Sequence, residues 1–263
     1  MVRLYMKKLR LWASAAFLIV IGLVVIVWWL NQGPFFKGRR LDAWLEMIDS
    51  GDPAQVSVAR DAVRNLGHRA LPRLTWLLKA TDNDVPSLYK YREYAQTILG
   101  RHVQEIRAVD LNRWASLGFR TLGPNSVQTL IRLLSDPKPE VRTTAASLLA
   151  ELGPEAYEAT PALKGLLADA ASTRRAALFA LAQIGPKAAE ALPEMIELLR
   201  RLRTPDAGPD VAFVVAAIDK IDSTARTKEP VVKETWVELE KSGGLMVILN
   251  AGQAVQRRAL PVE

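Results

Sequence analysis

The stretch LGPEAYEATPALKGLL (Leu152 to Leu167) and the stretch IGPKAAEALPEMIELL (Ile184 to Leu199) are nearly the same sixteen residues, 32 positions apart. Extending them recovers a longer unit: DPKPEVRTTAASLLAELGP (Asp136 to Pro154) runs beside DAASTRRAALFALAQIGP (Asp169 to Pro186), one residue shorter. Arg142 then matches Arg174, Leu149 matches Leu181, and Gly153 matches Gly185. A period of 32 to 33 residues is too short for a domain and suits one supersecondary unit, which buries its apolar face only by stacking on its neighbours.

Each unit parses as two helices. Pro161 after Thr160 suits a first turn, because proline lacks only an N–H that had no partner there and threonine is a capping residue. That helix is predicted over about 161–168, and a second over about 172–184, where Ala176, Leu178, Ala180, Leu181 and Ile184 cluster on one side. The Gly-Pro after Leu152 or Ile184 stops the helix, with glycine free to take a left-handed cap and proline unable to continue.

Weaker copies flank the clear ones. LGHRALPRLTWLL (Leu66 to Leu78) has His68 in place of the first proline, and LGPNSVQTLIRLL (Leu122 to Leu134) lacks the inner one. LDAWLEMI (Leu41 to Ile48) with VSVARDAVRNLG (Val56 to Gly67) reads as a first pair. PEMIELLRRL with VAFVVAAIDKI (Val211 to Ile221) reads as a last, in which Val211 stands where the others have Arg142 and Arg174. Atypical end units are expected of an array that must be capped.

The pattern D-x-x-x-x-V-R-x-x-A-x-x-L-L-x-x-L-G-P resembles the HEAT repeat, particularly the short variety similar to phycobilisome-lyase-type repeats. With NQGPFFKGRRLDAWL after an apolar N-terminal run, the frame is similar to membrane-anchored bacterial HEAT-repeat proteins. The resemblance covers about 41–222, clearly at 122–200. It implies an all-α fold, a right-handed α-solenoid of HEAT-like helix pairs whose second helices line a concave face. It also implies an inter-repeat polar ladder drawing on Asp136, Arg142, Asp169 and Arg174, and a scaffold that binds other proteins.

The apolar run itself is LWASAAFLIVIGLVVIVWWL (Leu11 to Leu30), with Ser14 its one clearly polar residue. As a helix its twenty residues span about 30 Å, the thickness of the hydrocarbon layer. Trp12, Trp28 and Trp29 sit where an aromatic belt would. No small-residue cleavage site follows it, so an uncleaved signal anchor is expected. Four basic residues before the run against three after it put the C-terminal domain outside the cytoplasm, on the periplasmic side. The expected organisation is a basic tail (1–10), a transmembrane anchor (11–30), a linker (31–40), the solenoid (41–222) and a tail or small capping element (223–263).

Charge narrows the partner. Of the 35 basic residues, seven lie in 1–40, where there is no Asp or Glu, which leaves 28 against all 28 acidic residues in the rest of the chain. A nucleic-acid-binding array needs a basic surplus to displace counterions, so no nucleic acid is expected. The chain has no cysteine and two histidines, His68 and His102. Neither belongs to a His-Glu pair, so neither a metal nor any other cofactor is expected, and the chain reads as a protein-binding scaffold rather than an enzyme, with no small-molecule substrate. Self-association into a structural component of the cell envelope is the first alternative, and an enzyme of unrecognised type the second.

Arg175, beside Arg174, is a candidate partner contact. So are Tyr91 and Tyr94, which share one face of a helix expected over about 86–99 within YKYREY (Tyr89 to Tyr94). From Ser223 the repeat pattern ends, and the apolar run Leu245 to Leu249 reads as one strand of a small hairpin, a hook over the end of the array, or the apolar tip of a free tail offered to a partner.

Overall fold

The computed structural model describes residues 33–84, 106–202 and 210–241. These residues are almost wholly helical and fall into two compact units, Met1–Arg73 and Leu74–Glu263.

In the first unit a two-residue-per-strand hairpin, β1 (Phe35–Phe36) with β2 (Arg39–Arg40), leads directly into α1 (Leu41–Asp49), and α2 (Pro53–Leu66) returns against it. The hairpin was not foreseen in a segment expected to be a linker. Its turn residues Lys37 and Gly38 both have positive φ (46° and 75°), as a two-residue type I′ turn demands. Leu41, Trp44, Leu45 and Ile48 of α1 are buried, as are Ala59, Ala62, Val63 and Leu66 of α2, at the i, i+3, i+4 spacing of amphipathic helices. Asp52 caps α2 by accepting from the N–H of Ala54 (3.1 Å), and Pro53 opens the first turn. Arg73 closes the unit with a two-pronged ion pair to Asp42 (3.1 and 2.5 Å).

The second unit takes up α3 (Leu71–Lys79) from Leu74 onward and continues with α4 (Ala108–Leu122), α5 (Val127–Leu133), α6 (Pro139–Leu152), α7 (Thr160–Gly165), α8 (Ala171–Ile184), α9 (Leu192–Leu202) and α10 (Asp210–Ile221). The second helices α4, α6, α8 and α10 lie side by side in chain order, while α5 packs on α6, α7 on α8 and α9 on α10. A helix flanked on both sides needs small residues there. Ala145, Ala146 and Ala150 of α6 and Ala177 and Ala180 of α8 are all buried, which lets the axes approach. The burying face of α8 uses Ala177 where the spacing had named Ala176; Leu178, Ala180, Leu181 and Ile184 are buried as expected. Thr173 is also buried, and its hydroxyl meets that of Thr143 on α6 at 3.0 Å.

The Gly-Pro stops differ in detail from a left-handed cap. Gly153 and Gly185 have φ of 59° and 69°, but ψ of −132° and −141°. This is mirror-image extended backbone, which glycine alone adopts without strain. It turns the chain at once into 3₁₀ turns, Gly153–Ala159 and Gly185–Ala191, with Pro154 and Pro186 in their first turns. Because α7 is entered from such a turn, its first N–H groups already have carbonyl partners. Thr160 therefore does not cap it as expected, but donates its hydroxyl to the carbonyl of Tyr157 (2.7 Å). The side chain of an alanine at 185 would meet nothing within 4 Å, so only backbone strain opposes it. Gly185→Ala is expected to cost about 1–2 kcal/mol, read as a lower urea midpoint; an unchanged midpoint would show that the turn relaxes.

Beyond Ile221 the chain stays helical. α11 (Ala225–Lys228) and α12 (Pro230–Lys241) follow, and α12 packs on α9 and α10 through Val232 and Thr235. The apolar run Leu245 to Leu249 lies outside the described residues.

The expected membrane location is corrected. Among the described residues no helix is long and apolar enough to cross a membrane. Residues 11–30, on which the single-pass anchor and the periplasmic placement of the C-terminal domain rested, lie outside the described residues. Neither the transmembrane helix nor the orientation drawn from it stands as a finding.

Candidate functional site

Between successive helix pairs of the second unit, a carboxylate of the later repeat receives a cation from the earlier one. Lys79 at the end of α3 reaches Asp136 (2.5 Å). Arg142 on α6 grips Asp169 with two parallel bonds, Nε to Oδ2 at 2.6 Å and Nη2 to Oδ1 at 2.8 Å. Arg174 and Arg175 on α8 both reach Asp210 at the start of α10, each at 2.5 Å. The arginines also hold their own repeat. Arg142 donates to the carbonyl of Asp136 (2.9 Å), and Arg174 to that of Asp169 (3.2 Å). Each step thus ties the turn before a second helix to the helix itself and to the next turn.

Of the seven residues the sequence points to, as ladder members or partner contacts, Arg142 and Asp169 come into direct side-chain contact. Asp136 meets Arg142 through its backbone carbonyl, while its carboxylate takes Lys79. Arg175 is not a free cation awaiting a partner: it shares Asp210 and lies over the ring of Phe213, 5.8 Å from its centre. Lys79 and Asp210 were missed from sequence. Tyr91 and Tyr94 lie outside the described residues, as does His102; His68 sits in the 3₁₀ turn Gly67–Ala70.

The ladder shifts its carboxylates together. The Arg142 guanidinium, aided by the N–H of Ala170, holds Asp169 below the usual carboxylate range. Burial pushes Asp210 up, but the bonds from Arg174 and Arg175 outweigh it and the net shift is downward. Asp136 follows the same course, with Lys79 and the N–H of Lys138 outweighing burial. Carboxyls whose folded pKa lies below the unfolded value of about 3.9 bind more protons unfolded, so they stabilise the fold above that pH and cease to as pH falls through the folded pKa. The urea midpoint is expected to hold between pH 7 and about pH 5 and to drop steeply below about pH 4. A midpoint at pH 3 equal to that at pH 7 would show that the ladder carboxylates contribute nothing.

The outward side of the second-helix layer is different in character. On α6 it carries Thr144, Ser147 and Glu151, and on α8 Ala176, Phe179 and Gln183, at i, i+3 and i+7 positions. Glu151 is paired with Arg120 of α4 (2.6 Å). This leaves a shallow surface of short and neutral side chains, with the half-buried rings of Phe179 and Phe213 on it. The ladder ties the N-terminal ends of α6, α8 and α10 to one another.

Comparison with known proteins agrees with the repeat reading. Residues 110–182 match the family described as HEAT repeats, and residues 173–201 match the PBS lyase HEAT-like repeat. Residues 110–201 therefore carry HEAT-like repeats. No curated protein matches the sequence. Among solved structures, the complex of CpcE and CpcF of phycocyanin lyase from Nostoc sp. PCC7120 is similar at 20% identity and a TM-score of 0.40, covering 80% of this chain and 74% of that one. The expectation that the chain is not an enzyme is corrected here. Residues 173–201 match a repeat named for a lyase, so repeat architecture gives no ground for excluding catalysis.

Proposed function

We propose that this HEAT-repeat chain is a protein-binding platform, with the outward side of α4, α6, α8 and α10 as the surface that receives a segment of a partner. The observation that carries this is the side-by-side packing of these helices combined with the short, largely neutral side chains on the outer ridges of α6 and α8. Such a surface has little to desolvate and a rigid backbone, so a partner segment loses little to ordering it. In this reading the array is a right-handed α-solenoid over 41–222, the second helices line its concave side, and α12 caps the far end. Asp136, Arg142, Asp169, Arg174 and Asp210 form the frame. Phe179 and Phe213 supply the apolar contact and Arg175, held over Phe213, its edge.

Ser147→Arg combined with Phe179→Glu puts bulk and charge on the ridge without touching the buried face. The expected result is loss of the co-purifying partner with a cooperative urea transition retained. A partner retained by this variant, but lost when Gln128 and Lys164 on the first helices are replaced, would place binding on the opposite side and end the proposal.

A second reading is a lyase-type activity on a pigment chromophore, favoured by the match of residues 173–201 to the lyase-type repeat. Incubating the purified chain with pigment and an acceptor protein, and following absorbance, tests it directly.

A further inference from the structure

Nearly every buried or half-buried cation of the repeats is matched to a carboxylate. The hairpin of the first unit breaks this rule. Lys37, Arg39 and Arg40 crowd three charges into four residues, all exposed, and none meets a carboxylate at ion-pair distance among the described residues. They are held instead by rings: Lys37 over Phe36 (5.6 Å), Arg39 over Trp44 (5.3 Å) and Arg40 over Phe35 (5.7 Å).

The tip is also rigid. Trp44 Nε1 donates to the carbonyl of Phe36 (3.2 Å), Arg39 reaches the sulfur of Met47 (2.9 Å), and Leu41 N–H bonds back to the carbonyl of Pro34 (3.0 Å). Like charges fixed this close repel one another, and Phe35 beside them is 50% exposed. A solvated surface would gain nothing from holding cations and an apolar ring together in one stiff turn.

We propose that this hairpin is a docking tip for an acidic, partly apolar segment of a partner protein, separate from the second-helix surface. Arginine clusters recognise carboxylates through charge-assisted bonds, and a ring stacked beneath a guanidinium leaves its N–H edge free for them. The size of the tip sets the class of anion. Three cations within four residues of one tight hairpin match a few residues of extended peptide. Nucleic acids are gripped by proteins that neutralise roughly 6–10 phosphates, and anionic lipid surfaces by clusters of about 4–8 cations.

The test uses the full chain and a short labelled peptide alternating glutamate and leucine, followed by fluorescence anisotropy. Its glutamine counterpart, vesicles containing phosphatidylserine and a thymidine oligonucleotide are run beside it. Lys37→Gln with Arg40→Gln is expected to weaken the acidic peptide about tenfold, and Phe35→Ser about threefold. Lys37→Arg with Arg40→Lys keeps both charges and should bind as the parent does, which separates lost charge from a disturbed hairpin. The glutamine peptide should not bind. Equal binding by the charge-removed variant would overturn the proposal. So would a preference of the parent chain, lost in that variant, for the vesicles or the oligonucleotide over the peptide.

Discussion

Leu181→Ala is expected to lower the stability of the chain by about 3 kcal/mol. Leu181 is fully buried on α8, the helix that packs against both α6 and α10. The loss has two sources: the transfer energy of the removed methyl groups and the cavity left between helices that cannot all move inward at once. In an array whose repeats contact only their neighbours, a weak central repeat also uncouples those on either side. Urea unfolding should therefore show a lower midpoint and a broadened transition. Ile196→Ala on α9, at a half-buried position, should cost clearly less. If the two variants are equally destabilised, α8 is not the centre of the core that its burial indicates.

Asp210→Ala should follow at about 2 kcal/mol, a value below that for fully buried pairs because Arg175 keeps 43% of its side chain exposed. Asp210 is the acceptor for two guanidinium groups, and its own side chain is only 9% exposed. Removing it leaves Arg174 half-buried without its anion, with an Nε that already lacks a partner. It also takes a negative charge from the first turn of α10, where the helix dipole favours one. Arg175→Ala alone should cost far less, since Arg174 still holds Asp210. A double-mutant cycle between positions 174 and 210 reads the coupling. A coupling near zero would mean that the ladder is ornament and that α8 and α10 are held by their apolar faces alone.

These two variants mark different depths of legibility. Leu181 could be named from the chain alone, because it recurs 32 residues after Leu149 on the same helical face. Asp210 could not. Asp136 and Asp169 are 33 residues apart, but Asp210 follows Asp169 by 41, so the repeat register points elsewhere. Lys79 is hidden in the same way, because its partner Asp136 lies 57 residues on. The hairpin at 35–40 carried a signal that was passed over: a Lys-Gly pair between two short runs, beside a helix start. Two residues per strand are too few for an alternating pattern to announce it.

The sequence by itself determined the repeat, its length, the helix pairs and the places where each second helix must stop, because all of these depend on neighbours within a few turns of the same chain. Hydrophobic period and the backbone freedom of Gly153 and Gly185 are local properties. Only the tertiary structure decided which cation meets which carboxylate, whether Arg175 is free or held, and that the chain past Ile221 folds back onto α9 and α10. Those outcomes turn on distances of a few ångströms between residues some 30 to 60 positions apart in the chain. At that range side chains are chosen by what packing brings near, and the linear order of residues carries no record of it.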